Sequence, residues 1–501
     1  MDALLTVGNT FQIRTLDPSS SIEATSLSVL HAAYDSLVTF EGEDLSMPKP
    51  SLASAWKISG DGRTFTFAIR PNVRFASGNE LTSADVKWTL ERVMNLKATT
   101  LYFVQGIEEV QAPDPRTVVI RTKAPQPSLL PILAGPSLGI LDSRLLMEHG
   151  GDASAEASTK DRAEAFLQTR SAGTGAFAIA SYMPGQELVL TRNPNHWRGP
   201  AKIGRVIFRN IQEPAVQALQ LVRGDLDVAL NLSQDHAVRM QRMTSTTARF
   251  SSQAAIFFVQ MNTNPEVGGP FSNPKVQQAV RYALDYEGIL AVAGPGAQPL
   301  SGLMPTVFPG ALEPRFPYAT DRNRARALLR EAGAGEISGR MSHYQATLSG
   351  VEVTLLAQKI QADLAAVGIR VELNSLPPPL AVQEWRAGKT QIGVFRWVAD
   401  YPDPSNYLIF LPGGNVGLRV QWQANASPVA QELIRMGDAA ESELDPRRRA
   451  GNYQRLERRL VEVGPFIPLF QPTVPYAYRT NLHGVNYHSV WAVDYYPVSK
   501  A

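Results

Sequence analysis

A helical pattern followed by two strand patterns constrains the fold of this chain more than any other feature. Apolar residues recur at helical spacing at four positions: Leu356, Ile360, Leu364 and Val367. Gly368 follows at once, where a left-handed residue would end the helix. Ile369–Leu373 and Gln391–Trp397 then carry runs that are typical of strands. A helix between strands at this spacing predicts an α/β layer arrangement.

The first half of the chain has a different pattern of predicted elements, with short strands and isolated helices. Thr64–Arg70 alternates apolar and polar residues, and the turn signal Asp61-Gly62 before it predicts a hairpin with the preceding segment. Thr82 followed by Asp85 predicts a capping box at the start of a helix. Because the two halves differ in their pattern of predicted strands and helices, the sequence predicts two lobes. Small ligands preferentially bind in a cleft between lobes.

The composition excludes several classes of function. The chain has 48 Lys+Arg and 46 Asp+Glu, a formal net charge of +2, which argues against nucleic-acid binding through phosphate neutralisation. It has no cysteine, which excludes disulfides, thiolate catalysis and cysteine-ligated metals. The seven histidines show no metal-ligand spacing. Gly173–Ala178 superficially fits a dinucleotide fingerprint, but strand-like residues follow its glycines instead of a helix. We therefore expect no metal and no cofactor.

The hydropathy pattern contains no membrane-spanning segment. No apolar run approaches the ~20 residues that a bilayer requires. The first residues, Met1–Thr6, also lack a basic region followed by an apolar one. The expectation is a soluble globular protein that is either cytoplasmic or already without its signal peptide.

The motif around Ser137 is the candidate for catalysis. Gly135–Gly139 matches the G-x-S-x-G nucleophile elbow, with Ser137 at its centre. Pro136 constrains that turn, and no helical pattern begins at Leu138. A Gly/Pro loop is therefore the favoured interpretation, and a serine hydrolase using Ser137 is the alternative.

The most informative polar stretch is Asp400–Pro404. It follows a predicted strand, and loops at the C-terminal ends of strands hold ligands in open α/β sheets. A carboxylate beside an aromatic residue can accept a cationic group such as an α-amine. The alternative is that Asp400 and Asp403 are ordinary turn formers. Among the tryptophans, Trp397 is the best pocket candidate because of these neighbours.

Short motifs occur in a characteristic order along nearly the whole chain. The most specific group comprises Leu52-Ala53, Trp56, Asp61-Gly62, Phe65, Phe67, Arg70, Phe75, Gly78, Leu81-Thr82 and Asp85-Val86. Further matches are Gly173–Gly175, Asn193, Trp197, Gly224–Asp227, Asn262, Phe271, Asn273-Pro274, Val276, Arg281, Ala332-Gly333, Leu364, Gly368-Ile369 and Asp400–Pro404. In order and spacing the chain resembles the extracytoplasmic solute-binding proteins of the peptide/nickel class, family 5, of ABC importers.

This resemblance implies an α/β, two-lobed clamshell like the periplasmic binding proteins, of the large class II form, with a subdomain inserted in lobe I. The expected segments are 1–40 (lobe I), 41–169 (inserted subdomain), 170–250 (lobe I), 251–475 (lobe II) and 476–501 (lobe I). Two crossings between the lobes, near Ser251–Asn262 and Pro472–Tyr478, would form the hinge.

The resemblance also implies the function. The protein would capture a peptide or a related amine-bearing solute in the cleft, close around it and deliver it to ABC permease subunits in the membrane. It would be a monomer exported to the bacterial periplasm, neither an enzyme nor a nucleic-acid binder. An opine or oligosaccharide ligand is the alternative within the family.

Site residues carried over by resemblance centre on Asp400, which in dipeptide-binding members would accept the α-amino group of the ligand. Those members place an arginine that binds the ligand carboxylate on the loop that is Tyr344–Gly350 here. This loop has no Arg or Lys, which argues against a simple dipeptide and permits longer or modified peptides, opines or oligosaccharide-like ligands. Ser405–Gln423 lacks the histidine of nickel-binding relatives, which disfavours nickel chelates. The expected ligand-binding residues are Ser19, Ser20, Ser21, Ser137, Ser349, Trp397, Ala399, Asp400, Tyr401 and Trp422.

Overall fold

The computed structural model describes residues 3–11, 13–42, 44–45, 47–334 and 336–501, so the first two residues of the predicted lobe I lie outside the described residues. The strands of the described residues are β1 (Ala3–Asn9), β2 (Val38–Thr39), β3 (Lys49–Pro50), β4 (Ala53–Ile58), β5 (Thr64–Ile69), β6 (Ile107–Asp114), β7 (Thr117–Thr122), β8 (Phe177–Met183), β9 (Glu187–Arg192), β10 (Ile203–Asn210), β11 (Val228–Ala229), β12 (Thr246–Ser252), β13 (Ala255–Met261), β14 (Gln298–Pro299), β15 (Ile337–Tyr344), β16 (Thr347–Leu348), β17 (Val351–Glu352), β18 (Ile369–Leu376), β19 (Ile392–Val398), β20 (Phe466–Gln471), β21 (Thr473–Arg479), β22 (Leu482–His483), β23 (Asn486–His488), β24 (Ala492–Asp494) and β25 (Ser499–Lys500).

The helices of the same residues alternate with these strands. The α-helices are α1 (Ala24–Ala33), α2 (Ser83–Leu96), α3 (Leu101–Val104), α4 (Leu129–Leu133), α5 (Ser143–Glu148), α6 (Ala157–Lys160), α7 (Glu164–Leu167), α8 (Pro214–Arg223), α9 (Gln234–Met240), α10 (Pro265–Gly268), α11 (Pro274–Ala283), α12 (Tyr286–Ala293), α13 (Arg322–Glu331), α14 (Val353–Ala365), α15 (Pro378–Arg386), α16 (Pro428–Glu441) and α17 (Pro446–Val463). Short 3-10 helices are Pro18–Ser20, Pro136–Leu138, Gly269–Ser272, Pro404–Phe410 and Gly417–Val420. None of the helices of the described residues is both long enough and apolar enough to cross a membrane.

Two mixed sheets organise the chain. The first has the order β12-β21-β11-β1-β10-β9-β8, with β1 parallel to β10 and β11. The second has the order β14-β20-β13-β19-β15-β18, with β15 parallel to β18 and β19. A third, antiparallel sheet, β4-β5-β7-β6, is formed by residues between β1 and β8 of the first sheet. The predicted α/β fold is confirmed, whereas the predicted segment boundaries stay a prediction.

The chain passes between the two large sheets at two adjacent places. Only Gln253-Ala254 separates β12 of the first sheet from β13 of the second, and only Pro472 separates β20 from β21. β12 and β21 pair with each other, so the two crossings lie side by side. They fall at the positions that the family resemblance implies for the hinge, and β21 begins at Thr473, slightly before the expected boundary at 476.

Local sequence signals account for the elements next to the site. All seven residues of β13 are buried, because this apolar strand lies between β19 and β20 in the middle of the sheet. The predicted hairpin is present as β4 and β5, with Ile58 opposite Phe65. The predicted capping box begins α2, where the Thr82 backbone N–H donates to Asp85 Oδ2 over 2.8 Å. α14 ends at Ala365, and Gly368 has the left-handed φ of 94° that lets the chain turn into β18.

Candidate ligand-binding site

A cavity of about 780 Å³ lies beside the two crossings, between the two large sheets. Gln253 and Pro475 at the crossings form part of its wall. Residues that follow strands of the first sheet, such as Phe11, face the loop Tyr344–Gly350 and Arg396, which belong to the second. A cavity of this size between two lobes suits a small organic ligand or a short peptide.

Asp400 lies two residues after β19 and is not among the residues that line this cavity; its contact with Tyr102 joins the second sheet to the segment between β1 and β8. Its side chain is buried, and its Oδ2 accepts a hydrogen bond of 2.6 Å from the Tyr102 hydroxyl and a longer one, 3.4 Å, from Asn406 Nδ2. The backbone carbonyl oxygen of Asp400 also lies near Gly135, which belongs to the loop that contains Ser137. Within the described part of the chain, Oδ1 accepts no hydrogen bond, and no Lys or Arg forms an ion pair with this carboxylate.

Burial raises the pKa of Asp400 to about 6. The hydrogen bonds from Tyr102 and Asn406 and the positive charge of Arg419 lower the pKa and oppose this effect, whereas the negative charge of Glu23 raises it further. A carboxylate that is desolvated without a paired cation is costly to ionise. The site therefore offers an acceptor for a cationic group that the described residues do not supply.

Arg419 is a second charged group in this neighbourhood. Its guanidinium lies over Trp385 at 4.0 Å and over Trp397 at 5.2 Å from the ring centres. Burial lowers the pKa of Arg419 to about 10, so it stays charged at neutral pH. The two indole faces stabilise Arg419 by cation–π attraction. Arg419 is therefore near Asp400 without forming an ion pair with that carboxylate.

The two aspartates of the Asp400–Pro404 stretch have different roles. Asp403 accepts two hydrogen bonds from Arg449, of 2.9 and 2.7 Å, and one from the Ser405 backbone N–H that begins the next 3-10 helix. Its charge is therefore balanced, and the turn-forming interpretation holds for Asp403. Asp400 has no ion-pair partner of this kind among the described residues.

Arg396 of β19 lines the cavity together with the loop Tyr344–Gly350. Its Nη1 donates to Ser349 Oγ over 2.6 Å, and Ser349 Oγ donates to Gln253 Oε1 over 2.6 Å. Burial lowers the pKa of Arg396, and the hydroxyls of Tyr344 and Tyr487 raise it. The loop without Arg or Lys is thus supplied with a guanidinium from the neighbouring strand.

The predicted serine segments pack together near Asp400. Ser19 and Ser20 lie in a 3-10 helix that Asp17 caps, and Ser137 Oγ donates 2.7 Å to the Ser21 carbonyl. Ser137 is buried, and among the described residues no histidine hydrogen-bonds its hydroxyl. That geometry holds the two loops against each other and supplies no base to activate a nucleophile.

The remaining predicted residues divide between Asp400's surroundings and the core. Ala399 donates its N–H to the Ala254 carbonyl over 2.7 Å, extending β19 toward Asp400. Trp397 lies under Arg419, and Tyr401 meets Phe103 edge to face at 5.7 Å between ring centres. Trp422 instead packs near Phe466 in the core of the second sheet. Of the predicted residues only Ser349 is among those that line the 780 Å³ cavity.

Sequence reasoning missed four side chains of this site: Tyr102, Arg396, Arg419 and Glu23. A signal existed for Arg396, because an arginine inside the apolar strand Ile392–Val398 is unusual for a buried run. Tyr102 carries no such signal, since its partner Asp400 is 298 residues away in the chain. No group of acidic or histidine side chains suited to a metal ion occurs within the ranges that the structure describes.

Comparison with protein families gives one match over most of the chain. Residues 47–417 match the model described as bacterial extracellular solute-binding proteins, family 5. Among curated proteins, the chain is 26% identical over 495 residues to di/tripeptide-binding protein 2 of Pseudomonas aeruginosa, covering 93% of this chain and 88% of that protein.

Solved structures share the fold over the full length. An ABC transporter-associated periplasmic binding protein, DppA from Helicobacter pylori in complex with the peptide STSA, superimposes with a TM-score of 0.85 at 21% identity, covering 99% of this chain and 98% of that one. The binding protein AgaA from A. tumefaciens R10, in complex with agropinic acid, has a TM-score of 0.82 at 22% identity and covers 100% and 99% of the two chains.

Proposed function

Because this chain belongs to the bacterial extracellular solute-binding proteins of family 5, we propose that it is the receptor of an ABC importer, which captures a short peptide or a related amine-bearing solute. It would work as a monomer in the periplasm and deliver its ligand to membrane permease subunits. The peptide-binding names of its relatives support this ligand class. An opine is the second candidate, which the likeness to the agropinic-acid-binding protein favours.

One observation carries the ligand class: the buried Asp400 carboxylate, where the second sheet meets the segment between β1 and β8, has no ion-pair partner among the described residues. An α-ammonium group supplies both a positive charge and hydrogen-bond donors to such a carboxylate. Because Tyr102 reaches Asp400 from the segment between β1 and β8, a ligand at this point touches both halves of the molecule. Closure around it would then follow from its higher affinity for the closed arrangement.

A ligand panel tests this function directly. We expect free di-, tri- or tetrapeptides, or an opine, to raise the melting temperature, with a stabilisation of about 2.7 kcal/mol at a hundred times the dissociation constant. N-acetylated forms of the same peptides should bind at least about 30-fold more weakly, since they lack the cation. Thermal shift followed by calorimetry measures both. Stabilisation by an oligosaccharide alone, with no amine-bearing compound active, would show that the proposed ligand class is wrong.

Binding of an amine-bearing ligand should weaken as the pH falls through 6. With a pKa of about 6, Asp400 is about nine-tenths ionised at pH 7 and about one-tenth ionised at pH 5. An α-amine stays protonated at both values, so affinity should drop about tenfold between them. Calorimetry at pH 7 and pH 5 measures the change, and Asp400→Asn should lose the pH dependence. Equal wild-type affinity at the two pH values would remove Asp400 as the acceptor.

A further inference from the structure

Arg396 supplies the one cation among the described residues that line the 780 Å³ cavity, whose lining also contains the carboxylates of Glu23, Glu213 and Glu352. It lies on β19, lines the 780 Å³ cavity and makes one hydrogen bond, to Ser349 Oγ. Four of the five N–H groups of Arg396 have no acceptor among the described residues. No Asp or Glu of these residues forms an ion pair with Arg396. The groups that face it are the neutral hydroxyls of Tyr344 and Tyr487. Arg396 is half-buried, and a partly desolvated cation without a counter-ion is costly, so this position favours an incoming anion.

The protein holds this guanidinium in a defined orientation. Ser349 has a left-handed backbone, φ 49°, which is unfavourable for a residue with a side chain. In this conformation its hydroxyl accepts from Arg396 and donates to Gln253, at the first crossing between the sheets. The relay fixes one N–H of Arg396 and leaves the other four without an acceptor among the described residues, on a side chain that lines the cavity. Such a fork matches a carboxylate with two parallel hydrogen bonds.

Arg396 and Asp400 are four residues apart in the chain: Arg396 lies on β19, and Asp400 lies in the bend that follows this strand. The chain stays strand-like as far as Ala399, whose N–H bonds to Ala254. Four residues of chain separate two Cα atoms by at most about 14 Å. An extended peptide covers about 3.5 Å per residue, so the opposite charges at the ends of two to four residues fit between these anchors.

We propose that Arg396, oriented by Ser349, binds a carboxylate of the ligand, so that the cleft selects zwitterionic solutes such as free-acid peptides of two to four residues. This inference rests on the proposed function and adds a second anchor to it. It also explains how the loop Tyr344–Gly350 can lack a cationic residue: the charge comes from β19 and only the orienting hydroxyl from the loop.

The test compares an equimolar tripeptide library as free acids with the same library as C-terminal amides, using native mass spectrometry and calorimetry on the full chain. Wild-type protein should prefer free acids by at least about 30-fold. In Arg396→Met that preference should fall below about threefold, while Ser349→Ala should reduce it about fivefold. Arg370→Met removes an exposed arginine of β18, at the edge of the same sheet, and should leave the preference unchanged.

The outcomes separate this inference from the function on which it rests. If neither library binds wild-type protein, the proposed function fails and the carboxylate site with it. If both libraries bind equally well to the wild-type protein, the proposed function as a peptide receptor holds and the assignment of Arg396 is wrong. This outcome is measured on the wild-type protein alone, so it does not depend on whether a variant folds. If Arg396→Met weakens acids and amides by the same factor, Arg396 only supports the loop. Arg396→Lys, which keeps the charge and loses the fork, should retain part of the preference.

Discussion

Replacing Asp400 by asparagine should weaken binding of an amine-bearing ligand about 30- to 5,000-fold. Removal of one partner from a buried, hydrogen-bonded charge pair costs about 2–5 kcal/mol, which corresponds to this range of affinities. Asparagine keeps the shape of the side chain and can still accept the hydrogen bond from Tyr102. What it loses is the negative charge that a ligand ammonium would meet.

The same substitution should stabilise the protein without ligand at pH 7.5. The folded-state pKa of Asp400, about 6, is above the ordinary value of 3.8, so ionisation is disfavoured in the folded protein. Stability is therefore lost as the pH rises from about 4 to about 6, by on the order of 3 kcal/mol for this group. Asparagine does not ionise, so it avoids that loss. A side chain that lowers stability and raises affinity is expected at a binding site.

Thermal unfolding and calorimetry, each with and without the tightest ligand of the panel, measure the two effects. Asp403→Asn is the matched control because it removes a charge three residues away that Arg449 already balances. That control should lower the melting temperature and change affinity little. A loss of less than threefold in the affinity of every active ligand, in a folded Asp400→Asn protein, would remove Asp400 as the anchor.

Replacing Arg92 by methionine should lower the free energy of unfolding by about 3–5 kcal/mol. Arg92 of α2 is fully buried and donates to two carboxylates: to Asp17 over 2.9 and 2.7 Å, and to Asp161 over 2.8 and 2.9 Å. The variant would leave two buried charges without a cation, which is more costly than losing the pair itself. Asp17 also caps the 3-10 helix that contains Ser19, so the serine loop beside Asp400 should loosen.

Urea unfolding measures the loss for Arg92→Met. Arg121→Met, on β7 of the same segment, is the control: its ion pair with Glu109 is long, 3.7 Å, and exposed, so it should contribute less than about 1 kcal/mol. Proteolysis should cut the variant faster near Asp161, since two backbone N–H groups there bond to that carboxylate. A loss below about 1 kcal/mol for Arg92→Met would mean that the buried charges find other partners.

Local elements near the site could be predicted because a few neighbouring residues decide them. The capping box of α2 depends on Thr82 and Asp85, three residues apart, and the hairpin of β4 and β5 on a turn and an alternating strand. The resemblance to a family extended these local predictions to the whole fold. The resemblance indicated Asp400 as the acceptor of a ligand amine, but neither source indicated that Arg449 balances the charge of Asp403.

The amino-acid sequence by itself determined the α/β class, the absence of cysteine chemistry and the position of an acidic loop after a strand, because periodicity and composition are properties of short segments. Only the tertiary structure decided the chemistry of the cleft. It brought Tyr102 to Asp400 across 298 positions, balanced Asp403 with Arg449, and left Arg396 with a single hydroxyl. Burial and charge pairing depend on which distant segments pack together, and that packing sets the pKa of Asp400 and the availability of both charges to a ligand.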